Sequence, residues 1–578
     1  MSAADNSHLG DSDNAQIALP KFIVIGTITG LGFGLIMALV SNGFVMGVRL
    51  LSSYRESRLF DLFQSDDFPV SLGPLVGLLM AVGGILIVRH LFGIKRWHGP
   101  ADAIHAAHRS DNELDVKSGF GSTLAAFISA SGGASVGQYG PLVHFGATMG
   151  SFLRQKTQGI LSTDIFIGCG VAGAIAAGFN APIAGIVFAH EAILRHFSMK
   201  AIVPIAIASV SSVWFSDILF GSNHLFDLAE VNIDLGKMLP PALIAGPFFG
   251  LLAVLFMQAI RHSARFAATS GWSPARLLLT AAIGTGVVGM FIPEVLGLGT
   301  APLAQMLDGG FQSAYLIVLL IFKLVLTALC IGFGMFGGVF SPALFVGAAA
   351  GAVAGQLMVG LTGFGSMTAL AICGMAAVAS AVIGAPVAGV LIILELTMNY
   401  DFALVAMVSI VASIMVTNFV FGHSFFDKQL LDRGVDVSLG RGHIEMTETP
   451  VSTVVDQNFC QVSTNASVRD ALSAMREAKS TEAYVTDKGM KFHGKLTLHA
   501  LMLEDPGKKV SPYADQSPIS IKHDASLQQA IEVASSFVGE SIPVINRSNG
   551  ELLGIVTEAD LFQLYLSLQH RVADLERT

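Results

Sequence analysis

Charge is what this sequence has least of: 13% of its 578 residues are Asp, Glu, Lys or Arg, against about 25% in a soluble globular chain. With 52% hydrophobic residues and a mean hydropathy of +0.64, too little polar surface remains to cover a soluble body. Lipid has to cover the rest, which points to a helical membrane protein. Cysteine is scarce too. Cys169, Cys330 and Cys373 lie in apolar stretches and Cys460 in the polar C-terminal part, with no metal-ligand spacing among them. A net charge of −9 and the lack of a long basic run argue against nucleic acid as a partner. No nucleophile or hydrolase constellation is visible, so the chain reads as a non-enzyme. A metal transporter would need acidic clusters within the membrane, and only Glu191 and Glu395 are on offer. Residues 1–20 are polar and acidic and lack the charged-then-apolar pattern of a signal peptide, so they read as a disordered cytosolic leader.

What is present is an almost unbroken series of apolar stretches, at 22–51, 72–88, 164–194, 201–219, 239–259, 277–291, 314–331 and 402–421. A spanning helix needs about 20 apolar residues. Several stretches are shorter or broken by Gly or Pro, which membrane helices tolerate where they line a protein cavity. The 62 glycines suit close helix packing. After Phe426 the composition turns polar, and two similar modules follow, at 446–503 and 510–569. Each reads as strand, helix, strand, strand, helix. Their first helices fall at 466–479 and 525–536, and their inner strands at 483–486 and 542–545.

The apolar part repeats itself. The segment from Gly170 to Gly185 resembles that from Gly374 to Gly389, an offset of 374 − 170 = 204 that also pairs Pro182 with Pro386 and Glu191 with Glu395. Gly137 to Pro141 resembles Gly338 to Pro342, an offset of 338 − 137 = 201. Such a repeat implies two halves about a pseudo-two-fold axis, with the site where they meet. The shorter motifs are glycine turns followed by proline, and they start helices inside the membrane. A helix start presents unpaired N–H groups and about half a positive charge. Two aimed at one point make an anion site without a cation. An ion entering a low-dielectric interior loses on the order of 20 kcal/mol of hydration. Partial charges replace that shell and still let the ion leave.

These motifs resemble those of the CLC chloride channel and transporter family. Gly337-Gly338-Val339-Phe340-Ser341-Pro342 resembles its G-x-F-x-P motif, and Gly137-Gln138-Tyr139-Gly140-Pro141 stands where it has G-[RK]-E-G-P. Phe179-Asn180-Ala181-Pro182-Ile183-Ala184-Gly185 resembles FNAP[LI]AG, and Trp97-His98-Gly99-Pro100-Ala101-Asp102 stands for G-S-G-I-P-E. Phe425-Phe426-Asp427 resembles [IL]-Y-[DS]. The resemblance implies an all-α polytopic membrane domain with an inverted internal repeat at 21–431, followed by a cytosolic α/β pair of CBS modules. It implies a homodimer in the lipid bilayer, with its N-terminus and tail cytosolic, in the plasma (inner) membrane. It also implies transport of small inorganic anions, chloride by default, with fluoride, nitrate and bicarbonate as alternatives. The anion-binding set carried over is Gly338, Val339, Phe340, Gln138, Tyr139, Gly140, His98, Gly99 and Phe426. His98 takes the serine position, or Trp97 if the register shifts by one.

The departures bear on mechanism. The family's gating glutamate is Tyr139, which is neutral at physiological pH. The second proton-handling glutamate is Ala192, and the central tyrosine is Phe426. Passive conduction follows as the expectation, with proton exchange as the alternative. Glu191 reads as a structural residue bonded to backbone, with shifted proton carriage as the alternative. Lys323 lies in an apolar stretch, either raising the local potential for anions or pairing with a buried carboxylate. No cofactor is required. In the tail, Gly554, Thr557 and Asp560 fit the CBS nucleotide motif, which would place ATP or AMP there, whereas the first module has Ala500 at the acidic position.

Overall fold

A computed structural model describes residues 10–55, 71–109, 113–156, 161–197, 199–221, 233–362 and 366–577. The chain resolves into two compact units, the first ending at Val435 and the second starting at Asp436 and also taking in His108 and Arg109.

In the first unit, among the described residues, eight helices are long and apolar enough to cross a bilayer. The first runs Gly10–Arg55, so residues 10–20, expected in the leader, are helical; residues 1–9 lie outside the described residues. The stretch 164–194, read as one apolar run, is in fact several elements. Thr163–Phe179 stops where Asn180 turns left-handed (φ 54°), and Pro182 opens the short helix Pro182–Phe188, which runs into a π-helical turn, Ala189–Leu194. Asn tolerates that conformation, and proline has no N–H to lose at a helix start.

The internal repeat is structural. Met367–Ile383 reproduces Thr163–Phe179 at the same offset, Gly384 (φ 80°) takes the place of Asn180, and Pro386–Thr397 starts where Pro182 does. The helices Tyr139–Lys156 and Phe340–Thr362 start at equivalent positions and pack on Thr163–Phe179 and Met367–Ile383 respectively. Glycine makes both packings possible: a Cβ on Gly170 would lie 2.0 Å from Gly146 O, and one on Gly374 would lie 2.2 Å from Gly347 O. At such spacing the backbones touch, as small-residue crossings in membranes do.

The second unit holds two modules of one design. β1 (Gln461–Ser463) runs parallel to β2 (Glu482–Thr486), which pairs antiparallel with β3 (Phe492–Thr497). β4 (Ile521–Lys522), β5 (Ile542–Ile545) and β6 (Leu552–Val556) repeat that order and those senses. The helices Val468–Ala478 and Leu527–Ala534 each start in a capping box, Ser467 with Asp470 and Ser526 with Gln529. The modules exchange their lead-in segments: Asp456 pairs with Ile555 on β6, and Asp515 with Lys495 on β3.

Between the modules sits a buried polar cluster. Lys495 Nζ lies 2.7 Å from Glu482 Oε1 and donates to Ser541 O at 2.8 Å. Glu482 also accepts from the N–H groups of Glu540 and Ser541. The Tyr484 hydroxyl donates to Ser541 O at 3.0 Å, and burial pushes its pKa up. Both charges are satisfied, so the pair specifies how the modules fit rather than simply adding stability. Lys495→Met in the full chain, which leaves Glu482 buried and unpaired, is expected to destabilise the tail by about 3–5 kcal/mol. The double change with Glu482→Leu is expected to recover most of that, measured as resistance of the tail to limited proteolysis.

Candidate anion pathway

The two glycine–proline turns meet. Gly137 N donates to Gly338 O and Gly338 N donates to Gly137 O, both at 2.7 Å. Equivalent residues of the two repeats therefore hold each other, the pattern that two-fold symmetry gives. The pairing fixes the starts of the Tyr139 and Phe340 helices side by side. The opening N–H groups of each, Val339 and Phe340 among them, have no intrahelical acceptor.

These turns border a cavity of about 80 Å³, room for a few waters or a small ion. Gly338, Val339, Phe340, Tyr139, Gly140, Gly99 and Phe426, all expected in the anion site, line it. His98 and Gln138 do not. The His98 N–H is held by Ser122 Oγ at 3.0 Å, and its ring packs against His144 at 6.1 Å. Trp97 lines the cavity instead, stacked on Phe336, with Nε1 donating to Gly334 O at 3.0 Å. Gln138 borders a second cavity, also of about 80 Å³, together with Phe179, Gly178 and Arg49.

An aromatic trio lies between the two cavities. Tyr139, 4% exposed, stacks on Phe179 with centroids 3.7 Å apart and planes 13° apart. Phe340 meets both edge-on, at 5.6 Å from Tyr139 and 5.3 Å from Phe179. The Tyr139 hydroxyl donates to Gly178 O at 3.3 Å. Gly178 itself carries no side chain where one would meet that ring: a Cβ there would lie 2.8 Å from Tyr139 Cε1.

Sequence reasoning missed three participants. In the sequence Phe179 is only one letter of a motif, whereas in the fold its place just before the left-handed Asn180 sets it against Tyr139. Asp102 accepts from Arg96 (2.8 and 3.2 Å), from the Gly99 N–H (2.8 Å) and from Arg433 (2.9 Å). Arg433 and Asp102 both line the first cavity. Nothing local to Arg433 in sequence signals this contact, which spans 331 positions.

Glu191, Glu395 and Lys323, the ionisable groups singled out in the apolar stretches, are tied down. Glu191 accepts from the N–H groups of Val387 (3.0 Å) and Ala388 (2.7 Å). Glu395 accepts from Ile183 (2.9 Å) and Ala184 (2.7 Å). Each repeat thus caps the helix start of the other, which is the structural role expected of Glu191. Lys323, fully buried, donates to Val295 O and Gly297 O at 3.0 Å each and lies 5.0 Å from the Phe345 ring centre. Its partners are carbonyls rather than a carboxylate, and it lines neither cavity.

In the tail, Thr557 and Asp560 form a closed pair at the start of the helix Glu558–Arg577. Asp560 Oδ2 accepts from Thr557 N (2.9 Å) and from its hydroxyl (2.6 Å), and Asp560 N donates back to that hydroxyl (3.2 Å). Gly554 has a packing reason of its own: a Cβ there would lie 2.4 Å from Asp456 O, where the other module's lead-in crosses. Gly494 meets Asp515 O in the same way, at 2.6 Å.

The membrane region matches the family model described as voltage gated chloride channel over residues 77–418, and residues 510–567 match the CBS domain. A H(+)/Cl(-) exchange transporter, ClcA of Vibrio parahaemolyticus, is 29% identical over 439 residues, covering 71% of this chain and 88% of that one. A slow cyanobacterial Cl−/H+ antiporter has a similar fold, with a TM-score of 0.62 at 21% identity over 71% of this chain and 97% of that one. A eukaryotic CLC transporter matches at 0.60 and 19% identity over 94% and 98%.

Glu191→Ala would leave two helix-start N–H groups without their acceptor. It is expected to destabilise the membrane unit by about 1–3 kcal/mol, read as a lower unfolding temperature of the purified protein in detergent. Glu395→Ala is expected to cost a similar amount, because the two caps are equivalent.

Proposed function

The chain belongs to the voltage-gated chloride channel family, and from that premise we propose that it conducts small inorganic anions passively, chloride by default, without moving protons in exchange. The observation that carries the reading is the Tyr139–Phe179 stack. A carboxylate at that position would compete with the anion and carry a proton. A phenol is neutral at physiological pH and does neither. Ala192 and Phe426 remove the other side chains that proton exchange would draw on. Val339 and Phe340 N–H groups hold the ion, aided by the dipoles of both helix starts. Tyr139 is the gate: it opens by swinging off Phe179, and such aromatic contacts are worth about 0.5–1.5 kcal/mol each beyond buried area.

Exchange is the second reading, favoured by the name of the Vibrio relative. Liposomes containing the purified chain, clamped across a pH gradient, distinguish the two. Passive conduction predicts a reversal potential set by the anion gradient alone, and a shift with the pH gradient would overturn it. Tyr139→Ala is expected to raise the flux several-fold.

The assembly we assign is a homodimer in the inner (plasma) membrane, with N-terminus and tail cytosolic. Glu191 and Glu395 are half-buried, beside Ile183 and Val387, which are 54% and 55% exposed. Lipid is a poor neighbour for carboxylates, and a second copy covering that face removes the conflict. In the tail, ATP or AMP would bind at Thr557 and Asp560, breaking their mutual pair to reach phosphate and ribose. Millimolar ATP is then expected to raise the unfolding temperature of the full chain, and Asp560→Ala to abolish the rise.

A further inference from the structure

The lining of the first cavity is unusually poor in side-chain hydrogen-bond donors for a path that takes ions. Trp97, Phe188, Phe336, Phe425 and Phe426 supply rings. The two donors that aromatic residues do bring there are already spent. Trp97 Nε1 bonds Gly334 O, and the Tyr139 hydroxyl bonds Gly178 O, which borders the other cavity. The remaining polar side chains, Asp102, Gln429 and Arg433, are clustered: Arg433 bonds Asp102, and Gln429 lies four residues before Arg433. Past that cluster, an ion has only backbone N–H groups and ring edges to replace its water.

We infer that this pathway selects large, weakly hydrated anions, of the nitrate, thiocyanate and bromide class, over small, strongly hydrated ones such as fluoride. The inference rests on the conduction reading above and specifies its substrate. The cost of taking an ion out of water rises as its radius falls. A pore that returns many strong hydrogen bonds offsets that cost and can favour small ions. This one returns few, so the hydration cost itself sets the order. Ring edges carry the positive end of the aromatic quadrupole. They meet a diffuse, polarisable anion at little cost, but they cannot substitute for the tight hydrogen bonds around fluoride. Phe340 and Phe426, which line the cavity beside the turn, are 7% and 6% exposed, so bulk water does not make up the difference there.

The position that decides this is Phe426. It lines the cavity, and a hydroxyl on its ring would put one donor into the apolar stretch. Phe426→Tyr is therefore a specificity change.

The full chain is reconstituted in liposomes, and anion flux is measured with fluoride, chloride, bromide, nitrate and thiocyanate in turn at equal concentration. Reversal potentials are measured under bi-ionic conditions. Nitrate and thiocyanate are expected to be more permeant than chloride, and fluoride least. Phe426→Tyr is expected to lower the nitrate-to-chloride permeability ratio several-fold, the size of about one net hydrogen bond. Fluoride or chloride leading the native order would overturn the inference while leaving conduction standing. Flux of no anion at all would instead overturn the conduction reading, and this inference with it. Because the native order is itself decisive, a misfolded variant does not rescue the idea.

Discussion

A backbone N–H inside a membrane has no water to turn to, so every interrupted helix must find another partner for its exposed end. This constraint shapes the first unit. The chain breaks four helices at equivalent points of two repeats and lets each repeat satisfy the other. Glu191 caps the start at Pro386, and Glu395 caps the start at Pro182. Gly137 and Gly338 exchange two backbone bonds. What remains is the pair of openings at Tyr139 and Phe340. Their N–H groups border a cavity instead of a carboxylate, and an anion suits that place for the same reason that Glu191 suits the other.

Close packing serves the same end. The dipoles of two helix starts act together only if the helices behind them are held rigidly. The contacts of Gly146 with Gly170 and of Gly347 with Gly374 bring backbones together without intervening side chains. The aromatic trio then closes the space in front. Tyr139 reaches Phe179 because Gly178, one residue earlier, leaves room for its ring. A larger residue at 178 would push the ring off the stack, so the position of the Tyr139 ring depends on a missing side chain as much as on the tyrosine.

The tail obeys a different solvent but a similar logic of exchange. Each module lends the other its lead-in segment, and Gly554 and Gly494 leave space for that crossing. Ser541 and Glu540, on the turn before β5, close over Glu482 and Lys495. The polar cluster between the modules is satisfied on all sides, which fixes their register more narrowly than apolar packing would.

Much of this was legible in the chain of letters because it depends on local chemistry. Scarce charge and long apolar runs determined a membrane domain. The 204-residue offset determined a repeat, and Gly-Pro turns determined where helices start. The strand, helix, strand, strand, helix order of both tail modules was legible as well. Other features depend on residues far apart in sequence, and only folding decided them. The sequence put His98 in the serine position, with Trp97 there only on a one-residue shift, yet it is the Trp97 ring that lines the cavity while the His98 N–H bonds Ser122. It could not say whether Lys323 faced ions, a carboxylate or carbonyls, because its partners lie 26 and 28 residues away in a separate loop. Composition and spacing determine which elements form and where they break; which side chains then share a cavity is set by packing between distant segments, where one glycine or one hydrogen bond turns a ring toward the path or away from it.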